Sequence, residues 1–172
     1  MNFERRTQIL LQLQRLTGSQ SDALHNLMEL GLIDSTQLQE LINEMTKERF
    51  KKGRAYLEFA SNLDANIKDY QAHIISRNYY GMYHLARATV FHTRRRDIDD
   101  HDRLPEAFAQ IVGATLGEKL EKWRDVRNII EYSPYAPTDI ITICEASVND
   151  GKEILKVCQQ YLKGRGVEIE NS

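Results

Sequence analysis

The position of the first proline is the feature of this sequence that most constrains its fold. No proline occurs from Met1 to Leu104, and the three prolines of the chain lie at positions 105, 134 and 137. Proline breaks a helix because it removes a backbone donor and clashes with the preceding turn, so its absence permits long helices in this region. Apolar residues recur along the chain at helical spacing, without convincing strand alternation. The sequence therefore predicts an all-α protein.

Capping residues, glycines and prolines divide this pattern into elements. The predicted helices cover residues 3–16, 22–31, about 36–63, 69–93, 105–113, 117–131 and 138–163. Ser19 or Ser21 is expected to cap the second helix, and Asp34 or Ser35 the third. A charged loop is expected at 94–103, and a turn flanked by Gly113 and Gly117.

The third helix has no clear stop signal for almost thirty residues, and Gly53 is its weak point. We predict a domain boundary within it. Residues 1–46 are expected to form a helical appendage that is dispensable for folding, because it has apolar faces of its own. Residues 47–164 are expected to form an up-and-down helical bundle, and residues 165–172 a flexible tail.

Composition narrows the class of protein. With 41% apolar residues the chain can bury a core, and its formal net charge of −2 restricts any contact with nucleic acid to a local patch. Cys144 and Cys158 are expected to be reduced and buried, which indicates a reducing compartment. The N-terminus has no apolar signal core, and no apolar run is long enough to span a membrane, so we expect a cytoplasmic protein.

An arginine stands within the apolar stripe of helix 117–131. On a helical wheel Arg127 shares one face with an apolar set: Leu116, Leu120, Trp123 and Ile130. One interpretation is that Arg127 snorkels or pairs with a buried acid. The other is that it faces a cleft or dimer groove and binds phosphate, with Asn128 beside it and Arg124 and Tyr132 on the flank.

Helix 69–93 has two marked faces. The core-like face carries Ile75, Tyr79, Met82, Ala86 and Val90, and the face away from it carries Tyr80, His84, Arg87 and Phe91. Aromatic, imidazole and guanidinium groups in one stripe suit an RNA-binding or subunit surface. The alternative is that this face packs against another helix of the same chain.

The charged loop contains residue types that bind metals. They are Asp97, Asp99, Asp100, His101 and Asp102, with His92 just before the loop. Their spacing matches no standard site, and a run of charges in a loop is usually solvated. The sequence also has no glycine-rich phosphate loop, nucleophile elbow or zinc signature, so we expect no metal and no cofactor.

Three segments together resemble the HEPN family. Residues 76–88, S-R-N-Y-Y-G-M-Y-H-L-A-R-A, look like the signature S-R-x-Y-Y-A-M-F-H-A-A-R-A of small prokaryotic HEPN proteins. Residues 101–108 are similar to the T-H-x-x-L-x-x-x-F stretch that follows it, and residues 124–132 to the segment R-x-x-R-N-x-x-D-Y. Order and spacing also match, and the resemblance covers about residues 47–163.

The resemblance implies a helical bundle that dimerises through its motif helices, here 69–93 and 117–131. Catalytic members cleave RNA without a metal, through a composite site of arginine and histidine from both subunits in the motif R-N-x-x-x-H. By analogy Arg127, Asn128 and Tyr132 are the candidate catalytic residues, and Arg124, Tyr80, His84 and Arg87 the candidate RNA- or phosphate-binding residues. A nucleotidyltransferase partner is also implied, with Tyr132 and Tyr135 as candidate modification sites.

The chain departs from the family pattern at one position, where Tyr132 replaces the motif histidine. A phenol titrates far above neutral pH and is a poor general base, whereas an imidazole is well matched to that role. His84 or His101 would have to compensate. Three functions remain open. The first is an RNA-binding protein or metal-independent endoribonuclease of a toxin–antitoxin or defence pair. The second is a catalytically inactive helical module that binds a partner, a nucleotide or a second copy of itself. The third is a structural role, in which residues 1–46 drive oligomerisation or dock a partner protein and the bundle is a scaffold.

Overall fold

The computed structural model describes residues 3–16, 18–133 and 137–169, and these are helical apart from short connections. The helices are α1 Phe3–Gln14, α2 Gly18–Glu29, α3 Ser35–Ser61, α4 Lys68–Arg94, α5 Leu104–Val112, α6 Ala114–Tyr132 and α7 Ile140–Lys163. They pack as a bundle-like arrangement, and no strand occurs among the described residues. The all-α prediction is confirmed.

Local signals position several helix ends where the sequence predicts them. The Asp34 carboxylate accepts a hydrogen bond of 2.8 Å from the Thr36 amide, which makes it the N-cap of α3. Pro105 lies in the first turn of α5, where its missing amide hydrogen has no helical partner to lose. Gly164 ends α7.

Two expectations about helix ends are wrong. Helix α2 begins at Gly18, so Ser19 and Ser21 lie inside it rather than before it. The Ser21 hydroxyl instead lies 3.0 Å from the Arg95 carbonyl oxygen, to which it donates a hydrogen bond, and so ties α2 to the end of α4. Gly117 does not flank a turn but lies buried within α6. A Cβ there would come within 2.5 Å of the Ala109 Cβ, so this glycine lets α6 approach α5 closely.

Helix α4 is central to the molecule, because it contacts α3, α5, α6 and α7. The residues of its predicted core stripe, Ile75, Tyr79, Met82, Ala86 and Val90, are all buried, as predicted. Helix α6 adds Leu116, Leu120 and Trp123 to the same core, and the Trp123 indole N–H donates a hydrogen bond of 2.8 Å to Asp150 of α7. Buried Cys144 and Cys158 of α7 are not disulfide-bonded.

A second apolar cluster joins the N-terminal helices to the bundle. It consists of Leu13, Leu38, Leu41, Ile42, Met45 and Phe91. Phe91 belongs to the face of α4 opposite the core stripe and is 1% exposed. The predicted boundary between residues 46 and 47 falls within α3, which is continuous there, and Met45 and Thr46 are buried beside it.

The chain remains packed beyond α7. The sequence predicts a flexible tail from residue 165, yet Val167 is 1% exposed and belongs to the main core. Its amide donates a hydrogen bond of 3.1 Å to the Leu162 carbonyl. Among the helices of the described residues, none is both long enough and apolar enough to cross a membrane.

Candidate functional site

The Arg127 side chain is held against helix α4 and is 15% exposed. Its Nη1 donates a hydrogen bond of 2.8 Å to the Asn128 amide oxygen, and its Nη2 donates to the Tyr80 hydroxyl. Its Nε lies 2.9 Å from Glu131 Oε2 in an ion pair that lacks a well-aligned hydrogen bond. Both partners belong to α6. Glu131 stands four positions after Arg127 and shares its face of the helix, and Asn128, the next residue, flanks it.

Tyrosine rings surround this guanidinium. The Arg127 carbon Cζ lies 5.1 Å from the centre of the Tyr80 ring, 5.6 Å from that of Tyr132 and 5.9 Å from that of Tyr79. Electron-rich ring faces at such distances stabilise a cation. The arginine is therefore fixed in place mainly by aromatic and neutral groups, with one carboxylate beside it.

Burial opposes the charge of Arg127, but Tyr80 and Glu131 outweigh it, and the net effect raises the pKa of this guanidinium. Glu131 is itself oriented by helix α4, because the Ser76 hydroxyl donates a hydrogen bond of 2.6 Å to its Oε1. Arg127 therefore keeps its charge at every physiological pH, as an anion-binding group requires. The sequence-based alternative is pairing with a buried acid; Arg127 does pair with an acid, Glu131, but that residue is not buried.

A histidine from the charged loop lies next to this group. His101 Nδ1 and the Tyr79 hydroxyl are 2.5 Å apart and share a hydrogen bond, and the His101 ring stacks on Tyr83 at 4.2 Å between centres. Burial, followed by the positive charges of Arg127 and Arg87, lowers the pKa of His101. The imidazole is therefore neutral at pH 7 and has the protonation state of a general base.

Arg124 is surrounded by carboxylates. Its guanidinium lies 2.9 Å from Asp102, 3.0 Å from Asp125 and 3.3 Å from Glu121. It also donates a hydrogen bond of 3.4 Å to the His101 carbonyl, and so links α6 to the loop before α5. Its charge is largely compensated within the chain, which leaves less of it for a phosphate.

Arg87 is also engaged within the chain. Its Nε and Nη2 donate hydrogen bonds of 2.7 and 2.5 Å to the two carboxylate oxygens of Asp97, and Arg49 Nη2 donates one of 2.6 Å to the same group. The Asp97 side chain is 6% exposed. The expectation that the charges of this loop are solvated is therefore wrong for Asp97, because two guanidinium groups from α3 and α4 compensate its burial.

His84 lies between tyrosines on the face that α4 turns toward α3. Its ring stacks on Tyr56 at 5.6 Å between centres and meets Tyr83 edge to face at 5.4 Å. Burial, with the positive charges of Lys52, Arg87 and Arg49, lowers the pKa of His84 to about 4. It is thus a neutral aromatic group at physiological pH.

The remaining candidates differ in exposure. Asn128 and Tyr132 are exposed, and the Tyr132 side chain turns its ring toward Arg127 while it remains 73% exposed. Tyr135 lies outside the described residues. Phe91, the fourth residue of the α4 stripe, is buried under α3 and takes no part in this surface.

Sequence reasoning missed several residues of the site. Glu131 could have been found, because it stands four positions after Arg127 on the same helix. Ser76 and Tyr56 reach the site only through the packing of α4 on α6 and α3, which no local pattern reveals. Among the residues that the structure describes, no three metal-binding side chains converge on one point.

Comparison with family models, with curated proteins and with solved structures finds no match to this chain. The chemistry of the site therefore rests on its own geometry: a permanent cation among tyrosines, beside a neutral imidazole.

Proposed function

We propose that this protein binds RNA, with Arg127 as the group that holds a backbone phosphate. The observation that carries the proposal is the guanidinium enclosed by three tyrosine rings and partnered by one carboxylate, Glu131. An arginine fork suits a phosphate because two of its N–H groups can donate in parallel. The resemblance to the HEPN family over residues 47–163 supports the same assignment.

Glu131 and a phosphate would compete for Arg127, so the Arg127–Glu131 ion pair is expected to open when the ligand binds. Arg127 is the partner of a carboxylate in the unbound chain. A backbone phosphodiester carries the same single negative charge and can replace that partner, because other groups of the site add contacts to the bound strand. Asn128 and Tyr132 stand at the exposed rim, where an amide and a hydroxyl can donate to phosphate oxygens. The proposed RNA- or phosphate-binding set is thus Arg127, Asn128, Tyr132 and Tyr80.

Metal-independent cleavage of the RNA is a second candidate function. It is favoured by His101, which lies on the Tyr79 and Tyr83 rings beside Arg127 and is neutral at pH 7. In this interpretation His101 takes the role of the motif histidine that Tyr132 replaces. A binding module without catalysis, for RNA, a nucleotide or a protein partner, is the alternative if no cleavage occurs.

We propose, further, that two copies associate through α4 and α6, with the two Arg127 groups sharing one groove. Ile129 and Tyr132 are 51% and 73% exposed on α6, and an apolar residue so exposed suits a subunit contact. The exposure of Tyr132 also suits covalent modification by a nucleotidyltransferase partner, for which Tyr135 is the neighbouring candidate.

The first prediction distinguishes the contribution of Arg127 to RNA binding from that of its counter-ion, Glu131. Arg127→Ala should weaken binding of a labelled RNA oligonucleotide by about ten- to a hundredfold, the range expected for lost hydrogen bonds to a charged group. Glu131→Gln should tighten binding, because it removes the competing carboxylate. Tyr132→Phe should weaken it only slightly. Fluorescence anisotropy measures the RNA affinity of all three variants. Light scattering on the same samples tests the proposed association of two copies and should give twice the mass of one chain.

Arg54 and Glu58 on α3 form a matched control pair, also four positions apart and with Nε 3.2 Å from the carboxylate. Arg54→Ala and Glu58→Gln should leave affinity within about twofold. Folded Arg127→Ala protein that binds RNA like the wild type would overturn the proposal. Incubation of wild type with total tRNA and mRNA, with and without a chelator, shows whether cleavage accompanies binding.

A further inference from the structure

A band of aromatic and basic side chains crosses from α4 to α3 next to the Arg127 site. The Arg77 carbon Cζ lies 5.5 Å from the centre of the Tyr56 ring and 6.0 Å from that of the Phe59 ring. Lys52 lies on the same side of α3, and these groups line an open pocket of about 400 Å³. We call Lys52, Tyr56, Phe59 and Arg77 the stacking surface.

The stacking surface is continuous with the Arg127 site. The rings of Tyr56 and Tyr80 are 6.1 Å apart between centres, and the Tyr80 hydroxyl accepts a hydrogen bond from Arg127. Arg77 contacts both the Phe59 and the Tyr56 ring, and Tyr56 contacts Tyr80, so this surface leads to the guanidinium that the proposed function assigns to phosphate.

Two features distinguish this surface from an ordinary packed interface. Phe59 is 53% exposed, so a large aromatic face remains open to a ligand. Arg77 contacts rings but has no ion pair with any carboxylate of the described residues, in contrast to Arg87 with Asp97 and Arg124 with Asp102. Aromatic faces beside uncompensated cations suit a ligand that carries both flat rings and negative charge.

We propose that the stacking surface binds the bases of single-stranded RNA whose backbone phosphate is held by Arg127; this inference rests on the proposed function. Bases stack on tyrosine, phenylalanine and arginine planes largely irrespective of sequence, and cations beside them bind the backbone. A duplex keeps its bases stacked inside the helix and cannot offer them to such a surface. The same residues thus select single strands and leave sequence preference weak.

The test uses the full chain and a single-stranded RNA oligonucleotide that carries 2-aminopurine, a base whose fluorescence is quenched by stacking. Phe59→Ala should weaken binding by about five- to tenfold, the lower end of the contribution of one stacked base, and should reduce the quenching. Arg77→Gln should act in the same direction. Tyr70→Ala, which removes a tyrosine that is 40% exposed but makes no ring contact with this surface, is the matched control and should change neither quantity.

The outcomes separate this inference from the function on which it rests. If Arg127→Ala loses binding while Phe59→Ala and Arg77→Gln match the wild type in affinity and quenching, the phosphate site stands and the stacking surface is wrong. If the wild type binds no RNA, both fail. Equal affinity for the corresponding duplex also overturns the inference. So does a Phe59→Ala protein that binds RNA normally but has a lower mass in solution, because the surface then serves a second copy of the chain.

Discussion

At the scale of single residues, the site combines permanent cations with imidazoles that remain neutral. Burial, followed by the positive charges of Lys52, Arg87 and Arg49, lowers the pKa of His84 to about 4. His101 is affected in the same direction, with burial first and Arg127 next. Positive charge for an anionic ligand therefore comes from arginine and lysine alone at neutral pH, and the histidines serve as aromatic or proton-accepting groups.

This arrangement predicts how stability depends on pH. The unfolded chain protonates His84 below about pH 6.5, whereas the folded chain does so only near pH 4. The unfolded state thus binds more protons in this interval, and the free energy of unfolding falls as the pH falls from 6.5 to 4. His84→Gln should flatten that fall by about 2 kcal/mol in urea denaturation at several pH values.

His73→Gln serves as the control for this experiment, because His73 is exposed on the same helix. It should leave the pH dependence as in the wild type. A slope that is identical in the His84→Gln and wild-type proteins would show that His84 does not remain neutral in the folded chain.

At the scale of helices, contact between α3 and α4 depends on glycine. A Cβ on Gly53 would lie 2.9 Å from the Gly81 carbonyl oxygen and 2.8 Å from the Leu85 Cγ, and a Cβ on Gly81 would lie 3.0 Å from the Gly53 carbonyl oxygen. The two backbones thus approach each other where each lacks a side chain. The sequence marks Gly53 as a weak point of the helix, but it is a point of close packing.

Gly53→Ala should therefore destabilise the protein by about 1–3 kcal/mol, although alanine favours a helix more than glycine does. The helices would have to separate, since the obstructing atoms include backbone. Gly164→Ala at the end of α7 is the control: its Cβ would meet nothing closer than 3.4 Å, and it should change the free energy of unfolding by less than about 1 kcal/mol. Thermal denaturation of both variants measures these changes in stability. An equal melting temperature for Gly53→Ala and wild type would contradict the prediction.

Helix length, capping and the buried face of a helix could be predicted from the sequence, whereas contacts between distant segments could not. The length of α3, the Asp34 cap and the buried stripe of α4 follow from local signals that tertiary structure leaves intact. Gly117 was misinterpreted because a glycine required for packing and a glycine required for a turn look alike in one sequence. Asp97 and Arg49 are 48 residues apart in the sequence, and only the packing of the loop on α3 brings them together.

At the scale of the whole molecule, the two apolar clusters share helices α3 and α4. Residues 35–46 form the first part of α3 and cover Phe91, so they belong to the bundle. Helices α1 and α2 pack on the outside of this second apolar cluster. This distribution favours a boundary before Ser35 over the predicted boundary at residues 46 and 47. It also ties the site to the N-terminal half, because Arg49 and Tyr56 lie further along the same helix.

Two truncated chains test this boundary. A chain that begins at Ser35 should unfold cooperatively, with the bundle intact. A chain that begins at Lys47 should be less stable than that by at least about 2 kcal/mol, because Phe91 loses its cover and a buried phenylalanine contributes that much. Urea denaturation compares them. Equal free energies of unfolding would show instead that residues 1–46 as a whole are dispensable, as the sequence alone predicts.

The exposure of Tyr132 has a consequence for how this site can diverge. A side chain that is 73% exposed at the end of α6 contributes little to packing, so the fold tolerates almost any residue there. Most other groups around Arg127 are buried or held by neighbours, and changes among them would affect folding together with chemistry. Position 132 is thus a place where a lineage can gain or lose an acid–base group in one substitution, with the scaffold left untouched.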